Sequence, residues 1–498
     1  MSTPSISIAA PELSARRKML IAYCTLYQPC YGQVTAFARK YDVSRQTIYN
    51  IKASFTDAVA PVSPSYADRQ ALVKRLILSL RMEGQSPLSG IHKILKRQGA
   101  VCDSVGYISE TLTQWGRLAG TDLRLDATGE TIELPFAADE IYAGSQPILV
   151  VVDPRSLAIL RITLCDDRSS ASWEAVLNGL SAQHIRPSLI VKDDGTGMDA
   201  AFRKLMPDID QQTDTFHALA HRLGEYKRRY EIAAYYAIQA EYDAEAQYYK
   251  AKSPDTRQKY YERYCSCRIV ADAAIALYDH FCFLYHNLLN AFQLFNTRGD
   301  FKNTTTVIAD FEAALDLMTT LQHPNLKQMT ATLKSIRACQ PKLFTFLRTA
   351  QTVVQTLAAD IPAWVLQPFC RAWQAHKNKV KAKNTARKNA YKTTENAALT
   401  EAEALQPHTF HALKTRIYTQ LNTIIQSSAA VECINSILRP YLNTARNHIT
   451  QEGLNLFQFY HNHRIFEQGE RKGKSPMQML TGNEHDDWIT LLANKTAL

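Results

Sequence analysis

Three acidic residues and their neighbours are the groups in this sequence best suited to chemistry. Near the C-terminus, Ser428-Ala429-Ala430-Val431-Glu432-Cys433-Ile434-Asn435-Ser436-Ile437-Leu438-Arg439-Pro440 has the spacing of an amphipathic helix. Asn435 and Arg439 follow Glu432 at i+3 and i+7, so acid, amide and guanidinium share one helical face. Val431, Ile434 and Leu438 supply an apolar face beside them. Far upstream, Asp139 lies on or just after one strand pattern, and Asp194 closes another. Clustered carboxylates suit hard divalent cations, which take oxygen ligands and keep several waters. Two such ions about 3.5–4 Å apart relieve charge on both oxygens of an in-line phosphoryl displacement. The residue types point to metal-dependent chemistry on nucleic acid.

Most of these positions carry a rival reading. Alternation along Ile190, Val191 and Lys192 lets only one of Asp193 and Asp194 face a site, and Gly195, which suits a strand-to-helix turn, favours Asp194. Asp153 rivals Asp139, but Asp153-Pro154-Arg155-Ser156 reads as a hairpin turn. Glu140 should point to the opposite face of the strand from Asp139. Asp214 and His217 are either a satisfied polar pair, or His217 contacts the scissile phosphate or supports the acidic cluster. Arg439 either reaches a phosphate or pairs with an acid.

The elements that must position these groups follow from periodicity. Strand patterns cover Pro135 to Ile141, Pro147 to Val152 and Leu157 to Thr163, then a helix spans Ser170 to Gln183. Ser188 to Val191 reads as a fourth strand, with a helix from about Asp199. Three strands, a crossover helix and a parallel fourth strand make the first half of an RNase H-like sheet. Residues 218–425 read as almost wholly helical, with Gly224 and Gly299 the only glycines. Their many tyrosines are expected to fill a core rather than stack on bases. Within them Lys377, Lys379, Lys381 and Lys383 belong to a basic run from Arg371 to Lys392, either a solvated face or a phosphate-contacting arm.

The N-terminal part reads as small helical units. Met19, Leu20, Ala22, Tyr23 and Leu26 form an apolar stripe. Tyr31 to Tyr41, a turn at Asp42-Val43, and Ser44 to Lys52 resemble a helix-turn-helix, with Ala38 at the helix crossing and Ser44 as cap. Ile48 and Ile51 then face inward, leaving Arg45, Gln46, Tyr49, Asn50 and Lys52 toward a partner. Arg and Asn or Gln make paired hydrogen bonds to guanine and adenine edges; a plain packing module is the rival. Thr56 to Ser65 reads as a linker. Leu72, Val73, Leu76, Ile77 and Leu80, then Ser89 to Leu95, then a helix capped by Ser104, read as a second helical DNA-binding unit or a spacer.

The expected class is multidomain α+β: helix-turn-helix units, then an RNase H-like α/β core interrupted by a large all-helical insertion. The expected boundaries are 1–60, 66–125, 130–217 and 426–465 for the two parts of the core, 218–425 for the insertion, and 466–498 for a tail. The 498 residues carry a net charge of +10, which favours a polyanionic partner. No run of about 18 apolar residues occurs, so no membrane span is expected. The N-terminus lacks a secretory signal pattern. The ten cysteines are scattered without any C-x-x-C, which argues against zinc or disulfides and for a reducing cytosol.

Together these residues resemble the DDE transposases of the bacterial insertion-sequence type, which have a retroviral integrase-like core. Asp139 and Asp194 lie 55 residues apart, and Glu432 follows 238 residues later, beyond the insertion. Asp214-Thr215-Phe216-His217 is similar to the C/D-x-x-H of such enzymes, with His217 standing 23 residues after Asp194. Phe459-Tyr460-His461-Asn462 and Gly469 to Pro476 are similar to transposase tails. The resemblance covers most of residues 20–485. It implies that Asp139, Asp194 and Glu432 hold two Mg²⁺ ions, with Mn²⁺ able to substitute, and that His217, Asp214 and Asn435 assist. It further implies that activated water nicks double-stranded DNA at element ends, and that the freed 3′-hydroxyl attacks target DNA. A homodimer or larger assembly in the bacterial cytoplasm, on the nucleoid, would synapse two ends. Two other functions fit the same residues: a silent domesticated transposase that binds DNA, and a structure-selective RNase H-like nuclease.

Overall fold

The computed structural model describes residues 13–27, 30–59, 66–100, 102–120, 123, 125, 130–193, 195–322, 326–469 and 471–495. It is multidomain α+β, mainly helical, around one small mixed sheet. Helices α1 (Ala15–Tyr27), α2 (Gln33–Lys40) and α3 (Arg45–Val59) pack on a core of their own. Ala38, Ile48 and Ile51 are buried there, and the Ser44 hydroxyl accepts from the Thr47 N–H at 3.0 Å. Asp42 takes the left-handed conformation in the turn, at φ 49°, which a short polar side chain tolerates. The stripe on α1 differs from expectation: Met19, Leu20 and Tyr23 are exposed, while Ile21, Ala22 and Thr25 are buried.

Helices α4 (Tyr66–Met82), α5 (Leu88–Arg97) and α6 (Val105–Ala119) form the second unit, with Ser104 capping α6. Its inward residues are Val73, Ile77, Ile91, Leu95 and Ile108, while Leu72 and Leu76 are exposed. This unit is docked on the sheet domain rather than strung before it.

Strands β1 (Ile132–Ala143), β2 (Gln146–Val152) and β3 (Ile159–Leu164) form an antiparallel meander. Gly144, at φ 63°, sits in the two-residue turn between β1 and β2, where positive φ favours glycine. Helix α7 (Ser170–Ser181) crosses back, and β4 (Ile185–Lys192) lies parallel beside β1. Helix α8 (Thr196–Leu205) then returns the chain to β5 (Gln211–Thr213), parallel to β4. The strand order is β3-β2-β1-β4-β5.

A π-helical turn, Phe216–His221, leads into the helical region: α9 (Arg222–Lys250), α10 (Pro254–Asn290), α11 (Thr304–Thr319), α12 (Leu326–Leu343), α13 (Thr345–Asp360), α14 (Ala363–Lys381), α15 (Thr385–Leu405) and α16 (Phe410–Leu421). Phe281, Leu288, Phe311, Phe344, Phe369 and Trp373 anchor its separate core. The chain then re-enters the sheet domain with α17 (Ala429–Thr444) and α18 (Gln451–His463), followed by α19 (Pro476–Thr481) and α20 (Trp488–Asn494).

Alternation along the strands builds an α/β/α sandwich. Phe136, Ala138, Leu149, Val151 and Ile190 face Trp173, Val176 and Leu177 of α7 and Met198 and Phe202 of α8. Ala137, Ile141, Val150 and Val152 face Val431, Ile434, Leu438 and Tyr441 of α17 and Phe457 of α18. Each such apolar side chain contributes roughly 1.5–3 kcal/mol by leaving water. Edge strand β3 is covered by amides from α18. Gln451 accepts from the Leu164 N–H at 2.8 Å, and Asn462 accepts from the Ile159 N–H at 2.8 Å. Gln458 donates to the Ile159 carbonyl at 3.1 Å. These bonds saturate an edge that would otherwise pair with another chain. Among the described residues, no helix is long and apolar enough to cross a membrane.

Candidate functional site

Parallel register brings the ends of β1 and β4 side by side. Ala137 pairs with Val191 and Ala138 with Lys192, so Asp139 stands one residue beyond, beside the end of β4 where Asp193 follows. Asp194 lies outside the described residues. Asp139 and Glu140 point to opposite faces, as strand alternation requires. Asp139 faces α17, where its Oδ2 accepts from Asn435 Nδ2 at 2.8 Å. Glu140 faces α7, accepting from Trp173 Nε1 and from Arg168, both at 3.2 Å.

Helix α17 thus carries residues from nearly three hundred positions downstream to β1. Asn435 is buried, and one turn earlier Glu432 is exposed in the first turn of the helix. Arg439 is exposed one turn after Asn435. The helix start is clasped by Asp214. Its Oδ2 accepts from the Ser428 N–H at 2.6 Å and from the Ser428 hydroxyl. Its own N–H donates to the Lys192 carbonyl at 2.8 Å. One buried aspartate therefore joins the end of β4 to the start of α17, where a carboxylate also suits the helix dipole. Gln212 and Thr215 reinforce the junction by donating to the Ile425 and Gln426 carbonyls, at 3.0 and 3.2 Å. The entry and exit of the helical region are stitched together beside the site.

The remaining predicted groups fall as follows. Asp193 accepts from the Gly195 N–H at 3.0 Å and lines a cavity of about 630 Å³ with Glu140, Asp167, Arg168, His221 and Arg222. Asp153 is buried in its turn, accepting from the Arg155 and Ser156 N–H groups at 3.2 and 3.0 Å. The His217 side chain lies outside the described residues. Arg45, Gln46, Tyr49 and Asn50 are exposed on α3, and Lys52 is half-buried. Gln46 Nε2 donates to Asn50 Oδ1 at 3.0 Å, pre-orienting that amide. The basic run forms the end of α14 and the start of α15. Lys379 pairs with Glu395. Lys377 stacks over Trp373 at 5.5 Å. Lys383 is exposed between the helices. Lys381 reaches the neighbourhood of Asp214; desolvation and then Lys377 lower its pKa, while Asp214 acts to raise it.

Several groups near the site were not foreseen. The buried Lys192 ammonium bonds Asp199 at 2.7 Å, and Lys342 of α12 reaches the same carboxylate at 3.2 Å. Asp199 therefore ties the helical region to the strand that ends at the acidic pair. The charged run Asp166-Asp167-Arg168 just before the capping Ser169 was the available signal for the cavity. Hydrogen bonds from Ser169 and Ser172 hold the Asp167 carboxyl down at about 2. Gly197 lets α8 approach the start of α7, since a Cβ there would lie 2.2 Å from the Arg168 carbonyl oxygen.

The donor set fits a hard cation. Asp139 and Glu432 offer carboxylates, and among the described residues the buried Asn435 Oδ1 has no hydrogen-bond donor; these are the oxygen donors that hard cations take. Among the described residues, no three His, Cys, Asp or Glu side chains form a metal-binding group; Asp194 is not among them.

Residues 150–288 match the family model described as Transposase, Mutator family. The matched stretch begins in β2, spans β4, β5 and the Asp214 clasp, and ends in α10. It supports a DNA transposase role, with DNA as the partner. No curated protein matches the chain.

Proposed function

We propose that this chain is a DDE transposase that cleaves DNA at the ends of a mobile element and transfers the freed strand into target DNA. The observation that carries this reading is the Asn435–Asp139 bond, which sets the helix bearing Glu432 against the strand bearing Asp139. The strand order β3-β2-β1-β4-β5, with β4 parallel to β1, supports an RNase H-like core. In this reading Asp139, Asp194 and Glu432 hold Mg²⁺, with Mn²⁺ as substitute, which when bound supplies charge relief on the phosphodiester and a nucleophile at neutral pH. The Asn435 amide orients the Asp139 carboxylate. Asp214 positions Glu432 through the N-terminus of α17. Arg439 offers a fixed charge for a phosphate, and His217 assists at the scissile group. Helix α3 reads end sequence with Arg45, Gln46 and Asn50. Two ends must be held at once, so two or more copies act together.

The test is cleavage of a labelled duplex taken from the DNA flanking the reading frame, with Mg²⁺ or with EDTA. Asp139→Asn, Asp194→Asn and Glu432→Gln should each abolish metal-dependent nicking at defined positions while leaving DNA binding intact. Full cleavage by any one variant removes that residue from the site. Tight binding by the wild type without nicks, even with Mn²⁺ and paired ends, would instead indicate a DNA-binding relic. Cutting of branched duplexes with no end preference would indicate a structure-selective nuclease.

A further inference from the structure

Helices α9 and α10 form a long antiparallel hairpin. At its base, Tyr226 and Tyr230 of α9 are buried with Phe281 and Leu284 of α10 in the core of the helical region. Beyond Tyr230, α9 continues to Lys250, about 30 Å of helix further. The buried residues of that stretch are alanines: Ala234 and Ala244 of α9, and Ala271 of α10. The large groups there point outward instead. Tyr235, Tyr242 and Tyr249 are exposed, with Ile232 and Ile238 exposed beside them. The expectation that the tyrosines fill a core fails for this row, because the core stripe of α9 is already occupied by its other face.

Charge divides the hairpin into a shaft and a tip. Residues 231–245 and 269–280, the shaft, hold Glu231, Glu241, Asp243, Glu245, Asp272 and Asp279, and neither Lys nor Arg. Residues 247–268, the tip, hold Lys250, Lys252, Arg257, Lys259, Arg263 and Arg268 against only Asp255 and Glu262. Both acids have local work. Asp255 lies in the first turn of α10, where a carboxylate suits the helix dipole. Glu262 accepts from Gln258 Nε2 at 3.0 Å.

The tip is a fixed platform. Ser253 caps α10 by accepting from the Thr256 N–H at 3.3 Å. Tyr248 packs against Tyr249 and Tyr261, with ring centres 5.1 and 5.5 Å apart, and Arg257 covers its face at 5.4 Å. Arg263 Nη1 donates to Gln247 Oε1 at 3.1 Å, which sets the level of the two helices and puts Lys250 beside Tyr260. Lys259 and Arg263 are four residues apart on one face of α10, and Lys250 follows Gln247 by three on the facing side of α9. With Lys252 in the connection, these residues make one cationic side, and all four are exposed. Among the described residues none of the four forms an ion pair, whereas Arg228 and Arg229 at the base share Glu225 at 3.4 and 3.3 Å. Like charges at i and i+4 repel, so the fold gains nothing from Lys259 and Arg263 as a pair. A polyanion does.

We propose that the tip of the α9–α10 hairpin is a sequence-independent contact to duplex DNA, made on phosphates by Lys250, Lys252, Lys259 and Arg263. A duplex carries one charge per about 1.7 Å of axis, dense enough to meet four neighbouring cations. The acidic shaft repels the same phosphates, which confines the contact to the tip. The run from Lys250 to Lys259 has no large apolar side chain, whereas a membrane surface is gripped by buried Trp, Phe or Leu. The proposal takes its partner, DNA, from the reading above, and nothing from the cleavage chemistry.

The experiment is titration of random-sequence duplex with the full chain in EDTA, over a range of salt, with circular dichroism to check helicity. Lys250→Gln, Lys252→Gln, Lys259→Gln and Arg263→Gln together should flatten the slope of log affinity against log salt by about three to four units. The preference for end DNA over random duplex should stay as in the wild type. The charge-keeping set Lys250→Arg, Lys252→Arg, Lys259→Arg and Arg263→Lys should retain the wild-type slope. Arg228→Gln with Arg229→Gln, which removes cations already paired, should leave the slope unchanged. A wild-type slope in the four-Gln variant overturns the proposal, and so does an equal loss per charge in the base variant. A four-Gln variant that keeps the DNA slope but no longer binds vesicles of anionic lipid overturns it in favour of a membrane surface. If the wild type nicks end DNA while the four-Gln slope is unchanged, the tip proposal fails alone. If the slope flattens but the wild type never nicks, the cleavage reading fails alone.

Discussion

At the scale of single residues, the polar groups packed into the sheet domain are as telling as the acidic ones. Asp214 was legible as part of a D-x-x-H pattern, but its work as the clasp between β4 and α17 was not. That work depends on Ser428, a residue 214 positions away that no local spacing connects to it. His461 is a second case. It is fully buried, its Nε2–H donates to the Leu157 carbonyl at 3.0 Å, and burial holds its pKa down at about 3. In the unfolded chain it titrates near the ordinary histidine value of about 6.5. Between those values the unfolded chain binds a proton that the native state refuses, so stability falls as pH drops below about 6.5. At pH 5 this one group costs about 2 kcal/mol. His463, lowered to about 4 chiefly by burial, adds a loss of the same sign. Thermal melts at pH 7 and pH 5 should show a smaller acid penalty for His461→Gln than for the wild type, since Gln keeps a donor and does not titrate. An equal penalty in both would mean that the ring is protonated in the native state.

At the scale of elements, periodicity located most helices and four of the five strands, because each buries one face and the alternation is local. It missed β5, three residues long, whose place depends on backbone pairing with β4 rather than on pattern. It misjudged α1, α4 and the exposed row of α9 for one reason: a helix with apolar groups on two sides does not announce which side has a partner. Sequence pattern was equally silent on how α4–α6 meet the sheet domain. There Arg81 donates to the Thr444 hydroxyl at 2.9 Å and to the Tyr441 carbonyl at 3.4 Å. Trp488 of α20 donates to Glu83 at 3.0 Å, so the tail is part of the same body. Gly116 of α6 packs tightly against α18, where a Cβ would fall 2.1 Å from the Glu452 carbonyl oxygen. Backbone cannot swing aside as a side chain does, so Gly116→Ala must push the two helices apart, at about 1–3 kcal/mol. Gly106 of the same helix has open space at its Cβ position, so Gly106→Ala should melt at or slightly above the wild-type temperature through helix propensity alone. Two equal melting temperatures would show that the α6–α18 contact is not close-packed in solution.

At the scale of the whole molecule, the proposed function divides the task of binding DNA between a net charge of +10 and a separately cored N-terminal unit. Phosphate neutralisation is indifferent to sequence and weakens as salt displaces the advantage of released counterions. Reading a base edge needs a donor and acceptor pair held in fixed geometry. Helix α3 presents both kinds of group on one outward face, with Ile48 and Ile51 pinning its inner side and Gln46 steadying the Asn50 amide. The two contributions should separate under mutation. Arg45→Ala or Asn50→Ala should cut the preference for end DNA over random duplex by about tenfold, since one paired base contact is worth about 1–3 kcal/mol. The salt slope on random DNA should change by no more than the single cation lost. Lys52→Ala should lower affinity for end and random DNA alike and flatten the salt slope by about one unit. Titrations of both duplexes at several salt concentrations would measure all three variants. If Arg45→Ala and Asn50→Ala leave the preference unchanged, α1–α3 pack without reading sequence, and end recognition must lie with the basic surface around α14 or with α4–α6.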